Sequence, residues 1–502
     1  MQHSRVKSKL SVCFFLFLFP LLSIVLSDES FAQDAQEPSK EKAEKKDPAL
    51  DQYYVANAAF NRKLYPVAAG QFESFLEKHP KHPKADLASQ GLALSLYALK
   101  QYDKAMPHLE ELLAKEEIDS TISRERLVML LGQCLMISEK KSDAKNLFLK
   151  EIKIIKDKAY RVAALAAICD VSFNEQNWEE VESWADQLVS SKPSPEALAR
   201  GLYQQGYAKY QLKKTNEAIL SLSAIAQLEA NKLWSTRANY LLGECYNILK
   251  DYAKAEVSFL AALPGLGKPE STECHYRLGV TRFILKKYTD SIENLSTYLK
   301  DQPEGKHARE AAFYIARSNL ENKEYEGSGE SFAMLSQGDG QIAAQASLWQ
   351  ARVLTRSEKN YDKASEILSD ALERFSDSSI VTDIRYDLAN SLMGKKTPDW
   401  KSALALLIEV EKDEGFKQLA ELTNQKSVCQ HRLTDYEGSL ASTNEYIKNF
   451  PNTKLFQAAL FLKAENLFLL KRTEEAAVAY DTYLQAGSNN SNYLIALYRT
   501  AQ

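Results

Sequence analysis

Apolar residues recur along this chain in short blocks at three- and four-residue steps, and the blocks themselves recur. In one clear block Ala238, Leu241, Leu242, Cys245 and Leu249 share one face of an expected helix. After a short polar break, Ala255, Phe259, Ala262 and Leu263 form a second stripe. The pair predicts two amphipathic helices, A and B, joined by a tight turn. An anchor residue followed three positions later by Ala, Ser or, once, Val181 marks each copy of that pair. The anchors are Tyr65, Tyr102, Lys141, Trp178, Thr215, Tyr252, Tyr288, Tyr325, Tyr361, Trp400, Tyr436 and Thr473. Their successive intervals are 37, 39, 37, 37, 37, 36, 37, 36, 39, 36 and 37 residues. So constant a period predicts a solenoid in which each hairpin needs its neighbours to cover its stripes. No alternating run with turn signals on both sides predicts a strand.

Two further positions keep the same register. Gly132, Gly206, Gly243 and Gly279 each stand nine residues before an anchor, where two helices approach too closely for a larger side chain. Pro80, Pro193, Pro303 and Pro451 each stand fifteen residues after one and end helix B, because proline lacks an N–H. On these residues the unit resembles the tetratricopeptide repeat, a helix–turn–helix of about 34 residues. The period here is longer, and Lys141, Thr215 and Thr473 replace the aromatic anchor. The resemblance implies an all-α fold: a right-handed α-solenoid of about twelve such repeats with a C-terminal capping helix. It is closer to tetratricopeptide units of bacterial envelope proteins than to those of eukaryotic co-chaperones.

Composition divides the chain. Of its 502 residues 45% are hydrophobic and 26% charged, within the range of globular proteins. Residues 1–32 stand apart: Arg5, Lys7 and Lys9 precede an apolar run from Leu10 to Leu26, followed by Ser30-Phe31-Ala32. This is the pattern of a signal peptide cleaved after Ala32, with an uncleaved anchor as the alternative and membrane contact only in that case. An exported protein, periplasmic or extracellular, is expected. Residues 33–49 are polar and read as a flexible leader, 50–491 as the solenoid, and 492–502 as a helix solvating its end. The net charge of −4 gives no reason to expect nucleic acid as a partner.

Candidate chemistry is sparse. Beyond the leader, Cys134, Cys169, Cys245, Cys274 and Cys429 are odd in number and lack close pairs, so buried thiols are expected rather than a disulfide framework. His79 and His82 have no carboxylate or thiol cluster to complete a metal site. Gly265-Leu266-Gly267-Lys268 lacks the residues of a phosphate loop. No nucleophile elbow occurs. No enzyme activity, metal or cofactor is expected.

The informative pattern lies on helix A. Twelve residues before the anchor (fourteen before Trp400) stand Tyr203, Tyr240, Tyr276, Phe313, Trp349 and Tyr386. Tyr210 and Phe283 lie two helical turns further along the same face. Arg200 and Arg237 precede Tyr203 and Tyr240 by three positions, and Arg317 and Arg356 belong to the same inner face. The resemblance implies that these positions point into a concave groove where ligands bind. Two readings stay open: rings that pack between A helices, or a ladder that contacts a ligand. Tyr, Trp and Arg together suit a peptide or acidic segment of a partner protein. They also suit a polysaccharide in envelope export. The sequence thus points to a scaffold that binds a partner-protein segment in the assembly of an envelope complex, with the polysaccharide module as the alternative.

Overall fold

The computed structural model describes residues 47–226, 228, 232–487 and 492–501. The segments expected as signal peptide and most of the leader lie outside these residues. Among the described residues there are helices and turns but no strands. The chain divides into a unit ending at Leu266 and a second beginning at Gly267.

The first unit holds six hairpins. They are α1 (Pro48–Asn61) with α2 (Tyr65–Lys78), α3 (Ala85–Ala98) with α4 (Tyr102–Ala114), and α5 (Arg124–Ile137) with α6 (Lys141–Glu151). Then follow α7 (Lys158–Asn174) with α8 (Trp178–Ser190), α9 (Pro195–Gln211) with α10 (Thr215–Ile225), and α11 (Lys232–Ile248) with α12 (Tyr252–Ala262). The first helix starts at Pro48 with Asp47 capping it, so two residues assigned to the leader are helical.

The second unit repeats the scheme. It contains α13 (Glu270–Ile284) with α14 (Tyr288–Asp301), α15 (Ala308–Glu321) with α16 (Tyr325–Ser336), and α17 (Gly340–Val353) with α18 (Tyr361–Arg374). Next come α19 (Val381–Gly394) with α20 (Trp400–Glu411), α21 (Leu419–Arg432) with α22 (Tyr436–Asn449), and α23 (Phe456–Leu469) with α24 (Thr473–Gln485). A last helix, α25 (Tyr493–Ala501), buries Ala496 and lays Arg499 3.9 Å over the Phe468 ring. Its outer face is apolar rather than solvating, with Leu494 76% and Tyr498 63% exposed.

Every anchor is the first residue of a helix B. The turn before it explains why. Two positions earlier the backbone is left-handed in eleven of the twelve repeats, as at Lys63, Lys250 and Lys323. That kink lets the next N–H reach back five residues, as Asp251 N–H does to the Tyr246 carbonyl and Glu324 N–H to that of Asn319. This is the Schellman ending of a helix, in which glycine normally takes the left-handed position. Here eight of the eleven are lysine, whose cation lies at the negative end of the helix A dipole.

The glycine slots and helix B interlock. A Cβ on Gly243 would stand 2.5 Å from the Phe259 ring, and one on Gly279 would stand 2.6 Å from Leu295. Gly206 faces Leu222 in the same way. Each large side chain lies seven residues after its anchor, so the slot and its filler hold fixed places in the repeat. All five cysteines among the described residues are free and buried. Burial pushes the thiols of Cys134, Cys169, Cys245 and Cys429 up to about 12, far from the thiolate. His82 is engaged on both ring nitrogens, by Asp47 at 3.1 Å and by the Lys84 N–H at 3.0 Å. Among the described residues no helix is long and apolar enough to cross a membrane.

Candidate functional site

Within each unit most successive A helices touch, so residues at equal places on them form a row. In the first unit that row is mostly closed, with only Tyr240 of its ladder rings keeping part of its surface. Tyr203 is 4% exposed and sits 5.6 Å from the Trp234 ring and 6.1 Å from Tyr207. Trp234 donates its indole N–H to Glu196 at 2.7 Å and carries Arg237 at 5.5 Å over its face. Arg200 is paired with Asp170 of the preceding A helix, which also accepts from Gln204 at 2.7 Å. Burial pulls the Arg200 guanidinium down to about 10. Tyr210 lies 6.4 Å from Tyr207, and Tyr240 meets Phe259 edge-on at 5.8 Å.

The second unit begins the same way. Tyr276, Phe313 and Tyr386 are 3–6% exposed. Their ring neighbours are Tyr298 at 5.3 Å, Phe332 at 5.7 Å and Phe416 at 5.0 Å. Four of the six expected ladder rings, Tyr203, Tyr276, Phe313 and Tyr386, are therefore core residues and not a groove lining. The reason is local: Tyr276, Phe313 and Tyr386 face large side chains of helix B or the loop after it, and Tyr203 faces Trp234 of the next A helix. Only Tyr240 and Trp349 keep part of their surface.

Trp349 is where the row opens. Arg317 of α15 lies 3.4 Å over the indole, Arg352 4.7 Å, and Arg356 5.9 Å. Phe283 of α13 carries the other side of Arg317 at 5.5 Å and packs on Tyr314 at 5.0 Å. Arg352 is anchored by Asp387 of α19 at 2.5 Å. Burial raises the Asp387 carboxyl even against that cation. Arg317 is weakly tied to Glu321 at 3.5 Å, and its buried Nε has no acceptor. Burial lowers its guanidinium below the usual range. Arg356 is exposed and makes no ion pair among the described residues. One indole face, one open cation and one unfilled donor thus converge.

Arg352 was missed from the sequence, and the cause is a change of register. Among the described residues, only here does helix A end in a π-turn, Leu354–Glu358, before the left-handed Lys359. The turn holds one extra residue, and the Asn360 N–H reaches Leu354 instead of stopping five residues back. Counting nine back from Tyr361 puts Arg352 in the small slot, but the slot is filled by Ala351, 1% exposed. Arg352 turns outward to Trp349. An arginine at a position reserved for Gly or Ala was the available signal. Single π-turns are rare and concentrate at functional sites.

Residues 56–120 match the family described as tetratricopeptide repeat. No curated protein matches the sequence. Among solved structures, the chain is similar to the TPR domain of P58(IPK) at 15% identity, covering 85% of this chain and 99% of that one, TM-score 0.34. It is similar to the APC/C hetero-tetramer Cut9-Hcn1 at 13% identity, covering 96% and 99%, TM-score 0.34. The apo form of the quorum sensor NprR from B. thuringiensis gives 13% identity over 66% and 99%, TM-score 0.41. With the family match at one end and an anchor opening helix B in every later hairpin, the chain is a tetratricopeptide repeat protein, of a family generally serving as non-catalytic scaffolds for protein–protein interaction.

Proposed function

We propose that this protein is an exported scaffold that holds a segment of a partner protein along its A helices, in assembling or organising a cell-envelope complex. The grip lies in the second unit at Trp349, and the segment it takes is acidic. The observation that carries this reading is the unpaired Arg356 beside an indole already lined by Arg317. A guanidinium without a carboxylate partner is the group a carboxylate finds first, and the ring gives the segment an apolar wall. Export rests on the basic, apolar and small-residue order of residues 1–32. A polysaccharide would need several exposed ring faces in sequence, and four of the six ladder rings are buried, which favours the protein segment.

The test is capture from the native envelope with the chain from Gln33 onward, beside a Trp349→Ala/Arg356→Ala double variant. A protein recovered only by the unaltered chain, and released by salt, supports the reading. Equal recovery by both baits removes the site from Trp349. Polysaccharide recovered without protein favours the alternative.

A further inference from the structure

The second unit holds another group of charged side chains, at the start of α15 and away from Trp349. His307 closes the loop between α14 and α15. Its ring lies flat on Tyr276 of α13, with centroids 4.1 Å apart and planes 6° from parallel. Nε2 stands 3.4 Å from a Glu273 oxygen on α13, and Nδ1 stands 3.7 Å from Glu310 on α15. Arg277 and Lys306 also reach Glu273, at 3.2 and 3.3 Å. From α14, the Tyr298 hydroxyl accepts from the His307 backbone N–H at 3.1 Å. The histidine side chain is only 13% exposed.

We propose that this group is a proton-operated latch. A charged His307 ties α13 to α15 through Glu273 and Glu310, and loss of its proton slackens repeat seven from repeat eight. Geometry sets the requirement: one ring, fixed by stacking, has a carboxylate on each nitrogen, and both can be served only when both nitrogens carry hydrogen.

The surrounding groups fix the direction of the response. Facing the ring are Glu273, Tyr276 and Arg277 from α13, Tyr298 from α14, Glu310 from α15, and Lys306 beside it. Burial works against the charged imidazole, but the nearby carboxylates of Glu273 and Glu310 outweigh it and raise its pKa above the ordinary value. Burial likewise opposes the Glu273 charge, yet His307, Arg277 and Lys306 hold that carboxyl down to about 2. Its bond from His307 lowers Glu310 as well. The histidine's raised value means the latch is fully engaged below about pH 6.5, the ordinary value, and is lost as pH rises through the folded one. Above that point Arg277 and Lys306 still neutralise the carboxylates, so what disappears is the bridge and not the charge balance.

The test uses the chain from Gln33 onward with histidine-selective NMR labelling, the His307 signal being the one absent from His307→Gln. That signal is expected to titrate above 6.5, and Glu310→Gln to lower it by roughly one unit. Amide exchange in α13 and α15, corrected for its intrinsic pH dependence, should rise several-fold across the same titration. In His307→Gln it should show no such step. A His307 titration at or below 6.5 overturns the latch, as does an identical exchange step in the variant. Should His307→Gln not fold, Glu310→Gln must lose the step; if it keeps it, the latch is likewise overturned.

Discussion

In the first unit, arginines and aromatic rings on the A helices use one another: Arg200 pairs with Asp170, Arg237 lies on Trp234, and Trp234 donates to Glu196. In the second, the same residue types meet around Trp349 and leave Arg356 without an ion pair among the described residues. Composition does not separate the two places. One residue of backbone contributes: the π-turn at Leu354–Glu358 carries Arg356, and in its shifted register Arg352 lies one place past the slot and reaches Asp387. An Arg–aromatic pattern therefore says little about binding until each cation has been followed to its partner.

The sharpest way to break this comparison is to remove one ring from each place. Tyr203→Ala empties a buried, ring-lined site and is expected to cost about 3–5 kcal/mol, read as a fall in denaturation midpoint. Trp349→Ala should cost well under half of that, since its ring keeps an exposed part, while abolishing partner capture. Equal losses of stability would mean that both rings are core and the contrast is false.

Next in size is the slot. Gly243→Leu in the first unit forces a side chain against Phe259 and is expected to destabilise by roughly 1–3 kcal/mol through overpacking. Gly279→Leu, against Leu295 in the second unit, should behave alike, because slot and filler are common to both units. Gly327, with nothing within 4 Å of a Cβ, is the control and should change little on substitution by Ala. An unchanged melting curve for Gly243→Leu would contradict the repeat register.

A smaller effect sharpens the second unit alone. Arg317→Gln with Arg356→Gln should weaken binding of an acidic partner segment about tenfold or more, equivalent to about 1.4 kcal/mol. The remaining affinity should respond less to salt. Stability should fall slightly, since Arg317 packs on Trp349 and Phe283, and a binding curve identical to that of the unaltered chain would exclude the guanidinium groups from the interface. Smallest is Lys250→Gly at a left-handed turn. Relief of backbone strain is worth about 1–2 kcal/mol, while added unfolded-state freedom takes back roughly 0.5–1 kcal/mol. A net gain of about 0.5 kcal/mol is expected from careful melting, and a loss would show that the lysine's charge at the helix end matters more.

Much of the fold was legible because its determinants are local and periodic. The anchors fall on the first residue of every helix B, and Gly243 faces Phe259, since slot and filler sit at fixed counts along the chain. The site was legible only in part. Arg317 and Trp349 could be picked by counting from the anchor, but in the shifted register Leu348, 3% exposed, holds the place of the buried Tyr203 and Tyr276, and Trp349 lies one residue past it. Which rings stay open depends on neighbours such as Trp234 and His307, and no count along one helix supplies them. Arg352 was hidden because the count assumes 3.6 residues per turn, and the π-turn breaks that assumption.

That extra residue is absorbed locally. Removing one residue between Leu354 and Glu358 would make Ala351 the ninth before the anchor, the ordinary slot count, so the slot would keep its alanine and Arg352 its outward place. What would change is the bulge itself, which carries Thr355 and Arg356. Conversely, one residue inserted at the end of helix A in another repeat and taken up in the same kind of turn would leave the slot residue in place, ten before its anchor. In an array of near-identical units, length is thus an alphabet of its own: repeats can differ in what they touch by how many residues they contain, with their packing otherwise unchanged.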